Sequence, residues 1–497
     1  MALIVTYTNT AINITSTDVG GNSIDQVCTA INNASIMEKI GDNPYIYQIK
    51  QGVGVTYARN LSIGAGCVIR MENTGDMLQW RQATFASNYY ALTIISGGEF
   101  LVIRNDITID LGGSATTPSP SIQVYGRFIA IGSAGHEVII KNYGAILHTP
   151  KANVNYIQWE YVKIRDTWTA SGYVGLAYRC YSIGIGTLKN VTIEQAVAPT
   201  TYGAGITMGG SPIVIGFTIE DCVFRNSNSH INFTTGELMQ FKNSLFSKMN
   251  SNMPLIANPV VSVNGALQYN PLNSLNKINQ SQITFDGCIF ESNYDSSGNK
   301  YSFYQLAYSA VAKFKNCTFR KEASSSIYRC FYSIINGSTA IFIGDNIFTD
   351  YTNAKWSKDA DSRTLFGKDV TIRVIDENGA PIENASVRIG QSQGYESWNW
   401  LTNSAGYVKD IFGDDCFLIE KEDTSSNGIG TYTQWSDSLA GGRYHTITAS
   451  APGRKSFTQN FILTETTSFE ITLPSLLPVK RFHADGWVDL DAGIHLL

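Results

Sequence analysis

Charge is scarce in this chain of 497 residues: Asp, Glu, Lys and Arg make up 15% of it, 36 basic against 41 acidic side chains, for a formal net charge of −5. That near-balance excludes the broad basic surface of a general nucleic-acid binder, so no nucleic-acid partner is expected. Only 13 prolines accompany 44 glycines, and 43% of residues are hydrophobic, which excludes collagen-like and long disordered chains. No run approaches the ~20 apolar residues of a membrane helix, so membrane insertion is not expected. The first residues, MALIVTYTNT, lack a basic stretch, and their apolar run breaks after Val5; the reading is assembly in the cytoplasm without a secretory leader. Eight cysteines form no CxxC pair and no short metal spacing, so neither zinc nor another cofactor is expected, and free thiols fit a reducing compartment. Nucleophile-elbow, phosphate-loop and HExxH motifs are missing too.

What is present is a repeat. Seven segments share one pattern: WEYVKIR (159–165), LKNVTIE (188–194), IEDCVFR (219–225), FKNSLFS (241–247), FDGCIFE (285–291), FKNCTFR (314–320) and IGDNIFT (343–349). Their sixth residues, Ile164, Ile193, Phe224, Phe246, Phe290, Phe319 and Phe348, read as an inward-facing ladder. Third-place Asn190, Asp221, Asn243, Gly287, Asn316 and Asp345 are types that tolerate left-handed backbone and predict a sharp bend; Tyr161 is the exception. Fourth-place Val162, Val191, Cys222, Ser244, Cys288, Cys317 and Asn346 are small enough to stack inside, which makes the cysteines core filler. Second-place Glu160, Lys189, Glu220, Lys242, Asp286 and Lys315 alternate in sign, as in-register stacking of parallel strands requires. The spacing of 44 between the fourth and fifth segments is twice 22, and VNGALQY (263–269) is expected as a weak extra rung there. Val223, Leu245 and Ile289 form an outward apolar column that a loop or a neighbouring subunit would cover.

A short strand recurring every twenty to thirty residues predicts a coil of stacked strands. The chain here resembles the right-handed parallel β-helix proteins of the pectin-lyase-like group, over about residues 20–350. The group includes polysaccharide lyases and hydrolases, adhesins and phage tailspikes. SIDQVCTAINNA (23–34), with Ile24, Val27, Cys28 and Ile31 on one helical face, matches the short helix that closes the first coil in such proteins. Residues 45–73, 99–113 and 137–143 read as further strands.

The period stops after Asp350, and 352–367 reads as a linker. DENGAPIENASV (376–387), TNSAGYV (402–408) and YHTITASAPGR (444–454) resemble the carboxypeptidase-regulatory-like, transthyretin-type β-sandwich, a stalk or adhesion module without chemistry of its own. The expected organisation is all-β: an N-terminal segment with a capping helix over 1–44, the parallel β-helix over 45–351, the linker, a small β-sandwich over 368–475, and a docking tail over 476–497.

Glycoside hydrolysis needs two carboxylates roughly 5–10 Å apart. The hydrolase signatures of the resembled group do not assemble: Asn293-Tyr294-Asp295 is isolated, Gly135-His136-Glu137 departs from GHG, and Asp414-Asp415 falls in the sandwich. Asp166, Glu237, Asp295, Glu322 and Asp350 are the carboxylates from which an unfamiliar pair could be drawn. His136, His148 and His230 have no ligand spacing, and the sequons at Asn190 and Asn316 fall at bends. No catalytic residue is assigned. Trp398 and Trp400 are the carbohydrate-binding candidates, as stacking faces for sugar rings, with packing at a sandwich edge as the other reading. The expected function is a non-enzymatic structural or adhesive virion component, a phage fibre, spike or decoration protein. Its partners would be other virion proteins or host-surface polysaccharide, with a homotrimer as a possible assembly. A polysaccharide depolymerase and a bacterial surface adhesin are the alternatives.

Overall fold

The computed structural model describes residues 3–8, 11–16, 21–50, 59–81, 90–112, 120–143, 146–148, 156–167, 176–180, 185–194, 205–208, 215–225, 231–233, 238–248, 261–264, 283–292, 304–307, 311–321, 332–334, 338–348 and 356–358. Beyond these it describes 360–390, 398–409, 413–423, 432–434, 445–461, 468–476, 479–482 and 488–491, with several strands defined in backbone alone. The architecture is all-β and largely parallel. Among the described residues the one α-helix is Ile24–Ile31.

Three large sheets dominate, and consecutive strands visit them in rotation. Asn60–Ile63 lies in the first, Val68–Met71 in the second, Met77–Trp80 in the third, and Tyr90–Ile94 returns to the first, parallel to Asn60–Ile63. From these strands onward, parallel neighbours within each sheet are three strands apart in the chain, one circuit apart. Inward and outward residues alternate, as the two-residue period of a strand demands. Ile12, Ile14, Leu61, Ile63, Leu92 and Ile94 are fully buried in the first sheet.

The repeat straddles the corner from the second sheet to the third. Left-handed backbone occurs at Tyr161 (φ 52°), Asn190 (53°), Asp221 (53°), Asn243 (47°), Gly287 (63°) and Asn316 (50°). Tyr161, the side-chain type that seemed ill suited, bends like the others. In the last repeat the bend falls on Gly344 (φ 65°), one residue before the expected Asp345. The reason is an inserted residue: Lys315 pairs with Ile343 and Thr318 with Ile347, so the corner lengthens by one.

Two aromatic ladders run through the interior. Phe224, Phe246, Phe290 and Phe319 stack at centroid spacings of 5.1, 5.0 and 5.0 Å. Beside them Phe241, Phe285, Phe314, Phe342 and Phe366 stack at 5.2, 5.4, 5.1 and 5.5 Å, and edge-to-face contacts knit the two together, as between Phe285 and Phe290 at 5.3 Å. Such pairs add about 0.5–1.5 kcal/mol each beyond area burial. Phe241 stacks directly on Phe285, and Leu238–Lys242 pairs directly with Ile283–Asp286. The spacing of 44 is thus one circuit, not two. Val261–Asn264 supplies the first-sheet strand of that circuit, and the expected extra rung does not form.

The helix caps the start. Ser23 and Gln26 form a reciprocal capping box, and Ile24, Val27, Cys28 and Ile31 are buried together, as their spacing implies. Antiparallel strands flank it: Ile4–Tyr7 on Ala11–Thr15, and Met37–Asp42 on Tyr45–Ile49.

The other end departs from the linker expectation. Within 352–367, Trp356–Lys358 continues the first sheet and Arg363–Ile375 begins by continuing the second. Ser362, Thr364 and Leu365 are buried there, so apparent polarity masked a continuing core. Arg363–Ile375 then pairs antiparallel with Cys416–Asp423 and parallel with Ser468–Thr472. A separate four-stranded antiparallel sheet, in order Trp398–Leu401, Ser386–Gly390, His445–Ser450, Phe457–Phe461, shares a second buried cluster with them, including Ile372, Val387, Leu418, Ile447 and Ile471.

Candidate functional site

The best-defined assembly of charged groups lies where the C-terminal strands cover the outer face of the second sheet. Gln240, Thr284 and Lys313 occupy one outward column in register, followed by Ile341 and Leu365. Outward polar side chains are ordinarily wet; here all three are at most 3% exposed. The Lys313 ammonium lies 5.2 Å from the centre of the Phe417 ring, a cation–π contact that desolvation strengthens. Ile341, Ile343 and Leu365 belong to the C-terminal cluster rather than to the interior of the circuits.

Lys242, Asp286 and Lys315 line up in the parallel column two residues on. Lys242 reaches Asp414 at 3.6 Å, and Gln240 Nε2 donates to the same carboxylate. Lys315 pairs with Asp369 at 2.7 Å. Asp415 accepts from Thr371 Oγ1 at 3.0 Å and pairs with Lys409 at 2.5 Å. Burial pushes the Asp286 carboxyl up; Lys315 and Lys242 pull it back, while Asp414 and Asp369 push it further. Burial opposes the charge on Lys315, yet the hydrogen bond to Asp369 and the attraction of Asp369, Asp286 and Asp414 raise it. Chemically, this alternating network fixes strands from distant parts of the chain to one another. Asp414 therefore joins the C-terminal strands to the repeat, while Asp415 is held within the C-terminal part by Thr371 and Lys409. Sequence reasoning had one cue for this: the next second-place residue after Lys315 in the aligned repeat is Gly344 rather than a carboxylate, and in the structure Lys315 pairs with Ile343.

Elsewhere the expected sign alternation is realised on adjacent circuits. Glu160, Lys189, Glu220, Lys242, Asp286 and Lys315 are successive register partners. Lys189–Glu220 (3.3 Å), Lys163–Glu194 (2.7 Å) and Arg320–Glu291 (2.5 Å) are ion pairs, as are Arg127–Glu99 (2.6 Å) and Lys141–Asp110 (3.3 Å) nearer the start. Exposed pairs of this kind contribute under about 1 kcal/mol, so they set register more than stability.

Trp400 is half-buried and packs against the C-terminal cluster. It sits opposite Val387, and Trp398 opposite Ile389, on the edge strand of the four-stranded sheet; the Trp398 side chain lies outside the described residues. On the other face Leu401 is 62% exposed. His136 sits at a turn after Gly135 (φ 77°), with Nδ1 3.1 Å from Asp106. Asn190 and Asn316 are bend residues. The side chains of Asp166 and His148, and residues Glu237, His230, Asn293, Tyr294, Asp295, Glu322 and Asp350, lie outside the described residues.

The three fourth-place cysteines are core. Cys288 and Cys317 thiols donate to the carbonyls of Phe241 and Phe285 on preceding circuits, and Cys222 donates to Leu188. Burial pushes the Cys222 thiol up to about 12 and Cys317 well above its ordinary value. Val223, Leu245, Ile289, Thr318 and Ile347 form a continuous outward column, half-buried until Ile347, which is 52% exposed. Among the described residues no helix is long and apolar enough to cross a membrane. The chain matches no protein-family model, no curated protein and no solved structure.

Proposed function

We propose that the three rotating sheets wind as a right-handed parallel β-helix of the pectin-lyase-like type, that the C-terminal strands form a transthyretin-type sandwich fused to it, and that the whole is a non-enzymatic structural or adhesive component of a virion. The observation that carries this is how the chain spends its described carboxylates. Glu99, Asp110, Glu194, Glu220 and Glu291 are each engaged by a Lys or Arg of a neighbouring circuit, and Asp369 and Asp414 by lysines of the second sheet. A carboxylate already engaged by an ammonium or guanidinium is sterically occupied, which suits a ladder and leaves it poorly placed to reach a substrate. A repetitive rod braced at its end by a packed antiparallel layer suits mechanical display, with binding to host glycan or to other virion proteins. A homotrimer burying the Val223–Leu245–Ile289 column accords with this role. Mass spectrometry of purified particles tests the reading: the chain should be found in stoichiometric amount, and its absence from them would overturn it. Depolymerisation on the same scaffold is the second reading, favoured by the polysaccharide enzymes among the proteins that the repeat resembles.

A further inference from the structure

We propose that Asp76 makes the N-terminal end of the stacked circuits an acid-tightened clasp, in which proton binding at one buried carboxyl sets how firmly the capping helix and the hairpin beside it are held. Asp76 stands at the corner that enters Met77–Trp80. Met77 pairs with Thr108 and Thr108 with Ile139, so the residues stacked on Asp76 are Ile107, then Val138 and Val162, all fully buried. Asp76 itself is 1% exposed. Its Oδ2 accepts from Asn73 Nδ2 at 3.1 Å, while its Oδ1 is buried without a hydrogen-bond partner. A carboxyl set in an aliphatic stack with one oxygen unpartnered is costly to ionise.

The cations nearby are spent elsewhere. Lys39 reaches Asp25 and Asp42, both at 3.4 Å, and Lys50 pairs with Glu38. On the outer surface Glu72 pairs with Arg70, and Asp106 of the next circuit with His136. The titratable neighbours that remain are Asp25 of the capping helix and Tyr47 of Tyr45–Ile49, whose hydroxyl lies 3.5 Å from Asp25 Oδ1, with Cys28 facing Tyr47. Burial holds the Tyr47 phenol and the Cys28 thiol above their ordinary values, so both stay neutral. Burial likewise pushes the Asp76 carboxyl up, and the charge of Asp25 adds to this, against hydrogen bonds at Asn73 and the Tyr45 backbone that lower it. The folded chain therefore holds this proton more tightly than the unfolded chain. The cap gains stability as the pH falls through the raised value toward the ordinary 3.8, and loses it as the pH rises.

Amide hydrogen exchange of the full chain between pH 4 and pH 7.5, corrected for intrinsic rate and read by mass spectrometry, tests this. Protection of 24–31 and 45–49, taken relative to 283–292, should fall as the pH rises, about tenfold for each unit by which folding raises the carboxyl. Asp76→Asn keeps the shape and removes the charge; its relative protection should stay flat with pH and exceed the parent's at pH 7.5. Asp25→Asn removes the neighbouring charge from a part-exposed position and should move the transition to lower pH, a shift that packing alone would not produce. A constant ratio in the parent, or the same fall in Asp76→Asn, would overturn the proposal. Where Asp76→Asn does not fold, an unmoved transition in Asp25→Asn would overturn it instead.

Discussion

His445 stands against the ring of Phe461 at 5.3 Å, 6% exposed, with Nδ1 unpartnered. Burial lowers it to about 4. Between that value and the ordinary 6.5, the unfolded chain binds a proton that the folded chain does not. Its contribution is therefore complete above about pH 6.5 and is lost as the pH falls toward 4, by about 3 kcal/mol in all. Urea unfolding at pH 7 and pH 4.5 should show a smaller acid loss in His445→Phe than in the parent; identical losses would remove His445 as the cause. The thiols give a second expectation at this scale. Cys222, Cys288 and Cys317 are buried, burial raises the Cys222 and Cys317 thiols, and the thiolate is the reactive form. A thiol reagent at pH 8 should label them only after denaturation. Their role as core filler was legible because they share the fourth place with Val and Ser. His445 was not, since a lone histidine in a strand gives no sign of which face it takes.

Among the elements, the corner between second and third sheets concentrates the strain. Gly287 has φ 63°, and an added Cβ would lie 2.6 Å from Asn243 Oδ1 of the preceding circuit. Gly287→Ala should therefore cost more than the ~1–2 kcal/mol of left-handed backbone alone, and Tyr161→Gly should recover part of that cost at its own bend. Comparing urea midpoints checks both, and a neutral Gly287→Ala would contradict the tight stacking of bends. Phe290 packs between Phe246 and Phe319, so Phe290→Ala should lose about 3–5 kcal/mol. The bends and the third-sheet ladder were readable from seven aligned segments. The second ladder stood in their first places from Phe241 to Phe314, unread, because Leu188 and Ile219 interrupt the aromatics after Trp159 and the inserted residue moves the stack to Phe342 in the last segment. The double spacing misled because a long corner adds residues without adding a circuit, and period alone does not distinguish the two.

At the scale of the molecule, one strand carries the joint. Arg363–Ile375 changes partners near Gly367, where register shifts and an added Cβ would meet the Leu418 carbonyl at 2.2 Å. Across the same joint Gln240 and Asp414 meet over 174 positions of sequence, and Lys242 reaches the same carboxylate. This part of the design was hidden because contacts between distant segments leave no mark on local spacing; a polar run, 352–367, looked like a linker while it continued two sheets. The consequence is that the stacked circuits and the C-terminal strands share one strand and a set of ion pairs across the joint; the proposed role as a non-enzymatic scaffold rests on this. The most direct test is to incubate the purified chain with capsular and cell-wall polysaccharides, following bound glycan and new chain ends together. Binding without new reducing ends or unsaturated products is the expected result. Progressive release of either product at catalytic protein concentrations would contradict the account and make the scaffold that of a depolymerase.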